Sequence, residues 1–220
     1  LSSKAFAAGR LDAQFFAPRV TQLRERLGRD GLRIGDVAPA RHERFKPAEA
    51  GTFNYIEIGS LGTDGSAASE AVAMAEAPSR ATQHVRGGDV VTSTVSPIRR
   101  LSALIAPEQD GAVCSSGFVV LQPERITGEV LLTYLRLPLV CELMDLHTSA
   151  TMYPAISEAD LLALPIPAID PVAQQQVTQA VRQSIDARQQ ASRLLDAARR
   201  AVEIAIEDSE AAALAFLESV

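Results

Sequence analysis

The segment Asp170-Pro171-Val172-Ala173-Gln174-Gln175-Gln176 divides this chain of 220 residues into two parts with different patterns. Asp is a preferred residue at the N-cap of a helix, and Pro is favoured at the first helical position. Neither Gly nor Pro occurs after this segment, as far as residue 220. We therefore predict one long helix over residues 170–208, roughly 58 Å in length, and assign residues 170–220 to a spacer or dimerisation helix.

Apolar residues recur along this helix at intervals of three, four and seven. Large side chains beside a line of Ala allow two helices to approach closely, although Arg188 interrupts the pattern. The pattern predicts an antiparallel coiled coil with another chain or with a second half of the same protein. The alternative is a single amphipathic helix that lies on its own domain. The residues predicted to face a partner helix are Val181, Ile185, Ala191, Leu195, Ala198 and Val202.

Residues 1–169 have a different character, with short apolar runs between clusters of Gly, Pro, Ser and Thr. We predict an N-terminal helix at about residues 11–28, with Pro18 in its first turn. A second helical stretch, residues 126–146, should break or kink at Pro138, and a short helix should begin at Ser157. Runs rich in β-branched residues predict strands at 53–58, 89–95, 102–106 and 117–121. The fold class is therefore α+β, an irregular mixed-sheet domain followed by the long helix.

Charge and hydropathy limit the classes of function. The chain has 27 Asp and Glu against 21 Lys and Arg, a net charge of −6, and its basic excess is confined to residues 1–50. A protein that binds DNA through phosphates alone is usually more basic. The chain has no apolar stretch long enough for a membrane span and no apolar signal core at its N-terminus, so we predict a cytoplasmic protein without membrane contact. It begins with Leu1 rather than Met, which indicates a piece of a longer chain.

The sequence lacks the catalytic and cofactor-binding motifs of several enzyme classes. It contains no Asn- or Asp-Pro-Pro-aromatic loop of an amino methyltransferase, no Gly-x-Gly-x-x-Gly, no Walker loop and no His-Glu-x-x-His. A metal-assisted nuclease needs carboxylates with a Lys, and the two lysines, Lys4 and Lys46, lie in no such pattern. Cys114 and Cys141 are expected to be buried thiols, because neither they nor the histidines have metal-ligand spacing. We predict no catalytic residue, no metal and no cofactor.

Six segments in order resemble the target-recognition domain of the specificity (S) subunit of type I restriction–modification systems. An opening Leu32–Ala38 segment precedes Tyr55-Ile56-Glu57-Ile58 with its Gly-Thr-Asp-Gly turn. The others are Ala77–Ala81 with Val85–Ser93, Ser115-Ser116-Gly117-Phe118-Val119-Val120-Leu121-Gln122-Pro123, Ala150–Ser157, and Leu164-Pro165-Ile166-Pro167 before the Gln-rich helix start. Each segment alone is a weak signal, but the order, with the long helix after it, covers nearly the whole chain.

The resemblance implies a non-catalytic subunit that recognises DNA. In that family the recognition domain (residues 1–169 here) reads one part of a bipartite site. The long helix pairs with a second such helix, spaces the half-sites and docks methyltransferase subunits. A full subunit has two recognition domains and two helices, so the resemblance implies either a half-sized subunit that dimerises or one half of a longer chain. The implied partners are double-stranded DNA, methyltransferase subunits, and a second copy or a second recognition half.

Candidate DNA contacts are loop residues whose side chains suit base edges or phosphates. For each Arg the alternative is an ordinary surface charge, and for Tyr153 it is packing beneath its loop. The candidates are Arg41, Arg44, Lys46, Arg80, Arg99, Arg100, Thr148, Ser149, Thr151 and Tyr153.

Two other functions remain open. The chain could be the C-terminal recognition region of a fused restriction–methylation enzyme, which the upstream reading frame would decide. It could also be a coiled-coil scaffold with no DNA role, which DNA binding with and without methyltransferase would decide.

Overall fold

The computed structural model describes residues 13–148 and 154–219. The chain separates into two compact units between Gln174 and Gln175. Over those described residues, the first unit contains two β-sheets with five α-helices, and the second is helical. The α+β class and the long C-terminal helix predicted from the sequence are confirmed.

The larger sheet has four strands in the order β2-β1-β6-β3. Its strands are β1 (Thr52–Ile56), β2 (Glu70–Ala73), β3 (Ala81–His84) and β6 (Val113–Ser115). The pair β1–β6 is parallel, with Tyr55 opposite Val113, whereas β1–β2 and β3–β6 are antiparallel. The sheet is therefore mixed, as the sequence predicted.

The smaller sheet is antiparallel, with its strands in the order β5-β4-β7. It contains β4 (Val90–Ser93), β5 (Ser102–Leu104) and β7 (Phe118–Leu121). Val91 lies opposite Ala103 on one side and Val120 on the other. One hydrophobic cluster takes side chains from both sheets, because the apolar faces of both must leave water: Ile56, Leu61, Val85, Val91, Ala103, Ile105, Ala112, Cys114, Phe118 and Val120.

The helices of the first unit begin where capping chemistry favours it. They are α1 (Pro18–Leu27), α2 (Ile34–Val37), α3 (Gly128–Leu135), α4 (Pro138–Leu146) and α5 (Glu158–Ala163). Pro138 occupies the first turn of α4, so the predicted break in residues 126–146 is confirmed. The Ser157 hydroxyl accepts the Asp160 N–H at 3.0 Å, which confirms the predicted start of α5.

The second unit contains most of a 37-residue helix, α6 (Pro171–Glu207), which is about 56 Å long. Asp170 caps it, since its carboxylate accepts the N–H groups of Val172 and Ala173, each at 3.0 Å. The predicted helix over residues 170–208 is confirmed to within one residue at each end, and residues 170–220 are not one continuous helix. The chain breaks after Glu207, because Ser209 is extended and caps a new helix, α7 (Glu210–Glu218).

Several elements differ from the sequence predictions. The N-terminal helix begins at Pro18, and residues 13–16 form a turn despite the apolar spacing of Phe15 and Phe16. Strands β2, β3 and β6 are absent from the sequence predictions. The first two contain Ala and polar residues rather than a β-branched run, and β6 has three residues. These strands exist because their neighbours supply hydrogen-bond partners, which local propensity does not reveal.

Candidate nucleic-acid interface

A two-residue turn, Ser116-Gly117, joins β6 of the larger sheet to β7 of the smaller sheet. On one side, the Ser116 N–H donates to the Arg80 carbonyl at 2.8 Å. On the other side, the Thr94 N–H and hydroxyl donate to the Gly117 carbonyl at 2.9 and 3.1 Å. The loop before β3 and the loop after β4 are therefore held on either side of one turn.

The loop after β4 is also joined to the segment before helix α5. The Ser96 N–H donates to the Pro154 carbonyl at 2.9 Å, and the Ile156 N–H donates to the Thr94 carbonyl at 3.0 Å. Val95 and Ala155 form an isolated antiparallel bridge between these hydrogen bonds. Four chain segments thus meet: the loop at Arg80, the turn at Ser116, the loop Thr94–Arg100, and Pro154–Ile156. We call this the four-segment surface.

Lys46 is brought to the same surface through the pairing of its segment with β3. The Phe45 N–H donates to the Thr82 carbonyl at 2.9 Å, and Arg44 bridges Gln83 in antiparallel register. This register places Lys46 opposite Ala81, the residue after Arg80. Arg44, Lys46 and Arg80 are all exposed.

Arg99 and Arg100 lie in the loop after β4 and are also exposed. Residues 97–99 form one 3-10 turn between two non-glycine residues with left-handed backbones, Ser96 (φ 49°) and Arg100 (φ 57°). Such a conformation costs roughly 1–2 kcal/mol per residue. Backbone strain of this kind concentrates at binding sites and persists where the surrounding structure determines it.

Arg136 supplies part of that support. Its guanidinium donates to the carbonyls of Arg100 at 2.8 Å and Ser102 at 3.0 Å, and also to the carbonyl of Thr63. No sequence pattern indicates this role, because the partners are main-chain atoms distant along the chain. Likewise, the dipeptide Ser116-Gly117 predicts only a turn before a strand. It does not predict that two distant loops hydrogen-bond to that turn.

Local charge favours an anionic ligand on this surface. Residues 77–85, 90–107 and 111–123 contain three Arg, namely Arg80, Arg99 and Arg100, and no Asp or Glu. These ranges include the Arg80 loop, the Thr94–Arg100 loop and the turn. The acidic balance of the whole chain therefore does not describe this surface.

Arg41 has a different environment from the other predicted DNA contacts. Its guanidinium makes a bidentate ion pair with Asp89, at 2.7 and 3.0 Å, and Asp89 is buried. The hydrogen bonds to Asp89 raise the pKa of Arg41 above its usual value. Asp89 also accepts the Arg86 N–H at 2.8 Å, so Arg41 is engaged in a structural pair.

The remaining candidates lie near helix α4 or beyond the described residues. Thr148 donates its hydroxyl to the Asp145 carbonyl at 2.8 Å, at the end of that helix. Ser149, Thr151 and Tyr153 lie outside the residues that the structure describes. Cys114 and Cys141 are buried free thiols, as predicted. Within residues 13–148 and 154–219, no three His, Cys, Asp or Glu side chains are grouped to hold a metal ion.

In the second unit, most of the residues predicted to face a partner helix are exposed. Ala191, Leu195, Ala198 and Val202 are exposed, whereas Val181 and Ile185 are half-buried. Ala197 and Ala201 on α6, and Ala213 on α7, are buried. No described helix has the length and apolarity to cross a membrane.

The sequence matches no family model and no curated protein. Two solved structures are similar to the chain. One is from work titled "Structural basis underlying complex assembly and conformational transition of the type I R-M system", with 28% identity and a TM-score of 0.60. The other is the HsdS subunit from Thermoanaerobacter tengcongensis, with 26% identity and a TM-score of 0.58.

Each match covers 79% of this chain, but 46% and 44% respectively of the solved chains. The matched part of this chain therefore spans less than half of either solved chain. The resemblance to type I specificity subunits predicted from the sequence is confirmed in the fold. The likeness in fold is to a specificity subunit, HsdS.

Proposed function

We propose that this chain reads one half of a bipartite DNA target for a type I restriction–modification complex and docks its methyltransferase subunits. The observation that carries the proposal is the four-segment surface, which collects Arg80, Arg99 and Arg100 on a fold similar to HsdS, with Lys46 next to Arg80 in register. Arg and Lys neutralise phosphates, and Arg also donates two hydrogen bonds to guanine. Such a subunit acts where the chromosome is, in the cytoplasm.

The long helix is the proposed site of pairing with a second copy or a second recognition half. Leu195, Val202 and Ile206 are 54%, 59% and 80% exposed. The spacing of seven and four residues places the three side chains along one side of α6. Ala197 and Ala201, which are buried, lie roughly opposite. The predicted coiled coil would bury this exposed apolar line.

The test is gene-dependent methylation. The methylome of the host is sequenced with the gene, without it, and with it restored on a plasmid. We expect a methylated motif that disappears on deletion and returns on restoration. A methylome that does not depend on the gene would refute the proposal and favour a scaffold without a DNA role.

Binding measurements then locate the DNA contacts. In a complex with the methyltransferase, Lys46→Ala and Arg80→Ala should each reduce the salt dependence of binding, lowering the slope of log K against log salt by about 0.9. Arg26→Ala is the matched control, since it removes an exposed arginine from α1, outside the four segments. An equal slope change in all three variants would show that position on the four-segment surface is irrelevant.

A further inference from the structure

Ile98 is an exposed apolar side chain inside the basic part of the four-segment surface. It is 52% exposed, at the centre of the 3-10 turn of residues 97–99, and Arg99 and Arg100 follow it directly. Single exposed apolar residues are common on protein surfaces. Ile98 differs because of the turn that carries it.

That turn is fixed on both sides. Before Ile98, the Ser96 N–H donates to the Pro154 carbonyl, and Pro97 is buried. After it, the Arg100 N–H donates to the Pro97 carbonyl at 2.9 Å, and the Arg100 carbonyl accepts from Arg136. Ser96 and Arg100 both have left-handed backbones. The turn therefore presents Ile98 from a strained but supported backbone.

We infer that Ile98 contacts the C5-methyl group of a thymine in the target, while the neighbouring arginines hold phosphates or guanine. This inference rests on the proposed function and names a residue that determines specificity. The thymine methyl is the apolar feature of the major groove, and apolar side chains recognise it. A rigid turn suits this contact, because a backbone that is already held in place loses little conformational entropy on binding.

A protein partner is the competing occupant of this surface. Helix α4 packs against the same turn, and Leu137 and Leu139 at its start are 43% and 46% exposed. We commit to DNA because Arg99 and Arg100 follow Ile98 directly and both are exposed. The experiment separates the two occupants.

The experiment compares the methylomes of three host strains, which carry the wild-type gene, the Ile98→Ala variant or the Ile98→Val variant. Ile98→Ala removes the side chain beyond Cβ at a half-exposed position, and Ile98→Val retains a β-branched apolar surface. We expect Ile98→Ala to relax the methylated motif at one thymine position, with the other positions unchanged. Ile98→Val should retain most of the thymine preference.

A second measurement uses duplexes that contain the wild-type motif with thymine or uracil at that position. Uracil lacks only the C5-methyl group. It should lower methylation by the wild-type complex about fourfold, the value of one buried methyl group, and should leave Ile98→Ala unaffected.

An unchanged motif in Ile98→Ala overturns the inference, and so does equal loss of methylation at all sites. Loss of methyltransferase from the purified Ile98→Ala complex assigns the surface to a protein partner and also overturns it. If the proposed function itself fails, the wild-type gene produces no methylated motif. That result is distinguishable from each of the outcomes above.

Discussion

Replacing Asp89 with Asn should destabilise the first unit strongly, although the two side chains have nearly the same shape. The Asp89 side chain is 3% exposed and receives two hydrogen bonds from Arg41 and one from the Arg86 N–H. Asn removes the charge and leaves the Arg41 guanidinium, 21% exposed, without its partner.

Breaking a buried ion pair by removing one partner costs about 3–5 kcal/mol. Arg41 retains some access to water, so we expect the lower end, about 3 kcal/mol. In a domain of this size that corresponds to a fall in Tm of roughly 6–12 °C. Arg41→Met should cost a similar amount, because it leaves the Asp89 carboxylate buried.

The assay is urea unfolding of the two single variants and the double variant Arg41→Met/Asp89→Asn. Because the second change removes a partner that is already lost, the double variant should lose much less than the sum of the single losses. Single losses below about 1 kcal/mol, or additive losses, would refute the assignment of Arg41 to a structural pair. Its prediction as a DNA contact would then be favoured again.

Three further predictions concern packing, pairing and pH. A Cβ on Gly128 would lie 2.9 Å from a loop carbonyl oxygen, so Gly128→Ala should cost about 1–3 kcal/mol in urea unfolding. Gly59→Ala, which meets only a flexible carboxylate, should cost less. Leu195→Asp should weaken self-association, measured by sedimentation, by at least about tenfold. The control Gln190→Asp, about 140° away from Leu195 around the helix, should leave self-association unchanged. Equal effects of the two variants would show that the Leu195 face of α6 is not the pairing surface. Burial raises the pKa of Cys114 to about 12. As the pH rises, the Cys114 thiol loses its proton in the unfolded chain before it does so in the folded chain. The free energy of unfolding should therefore fall above pH 9 by about 1.4 kcal/mol per pH unit. Cys114→Ala should make this dependence on pH less steep.

The parts of the fold that could be predicted depend on local chemistry. Asp170-Pro171 determined the start of the long helix, Pro138 divided one helical stretch into two, and Ser157 capped the next. Each signal comes from the capping or steric preference of residues within a few positions. The ordered family segments supplied the rest of the architecture.

The candidate surface could be predicted only as separate loops. Arg80, Arg99 and Arg100 were selected for their chemistry, but no local pattern shows that one turn joins their loops. Arg41 has the same chemistry, and only the position of Asp89, 48 residues later, distinguishes it. Contacts between distant main-chain atoms leave almost no trace in composition or periodicity.

The Arg136 contacts have a consequence for how target preference can change. The hydrogen bonds from its guanidinium end on main-chain oxygens of Thr63, Arg100 and Ser102. A carbonyl oxygen is present whatever residue occupies the position. Side chains at residues 98 and 99 can therefore be exchanged while the scaffold that holds them is retained. Under the proposed function, new specificities would then arise by point substitution, without compensating changes in the core.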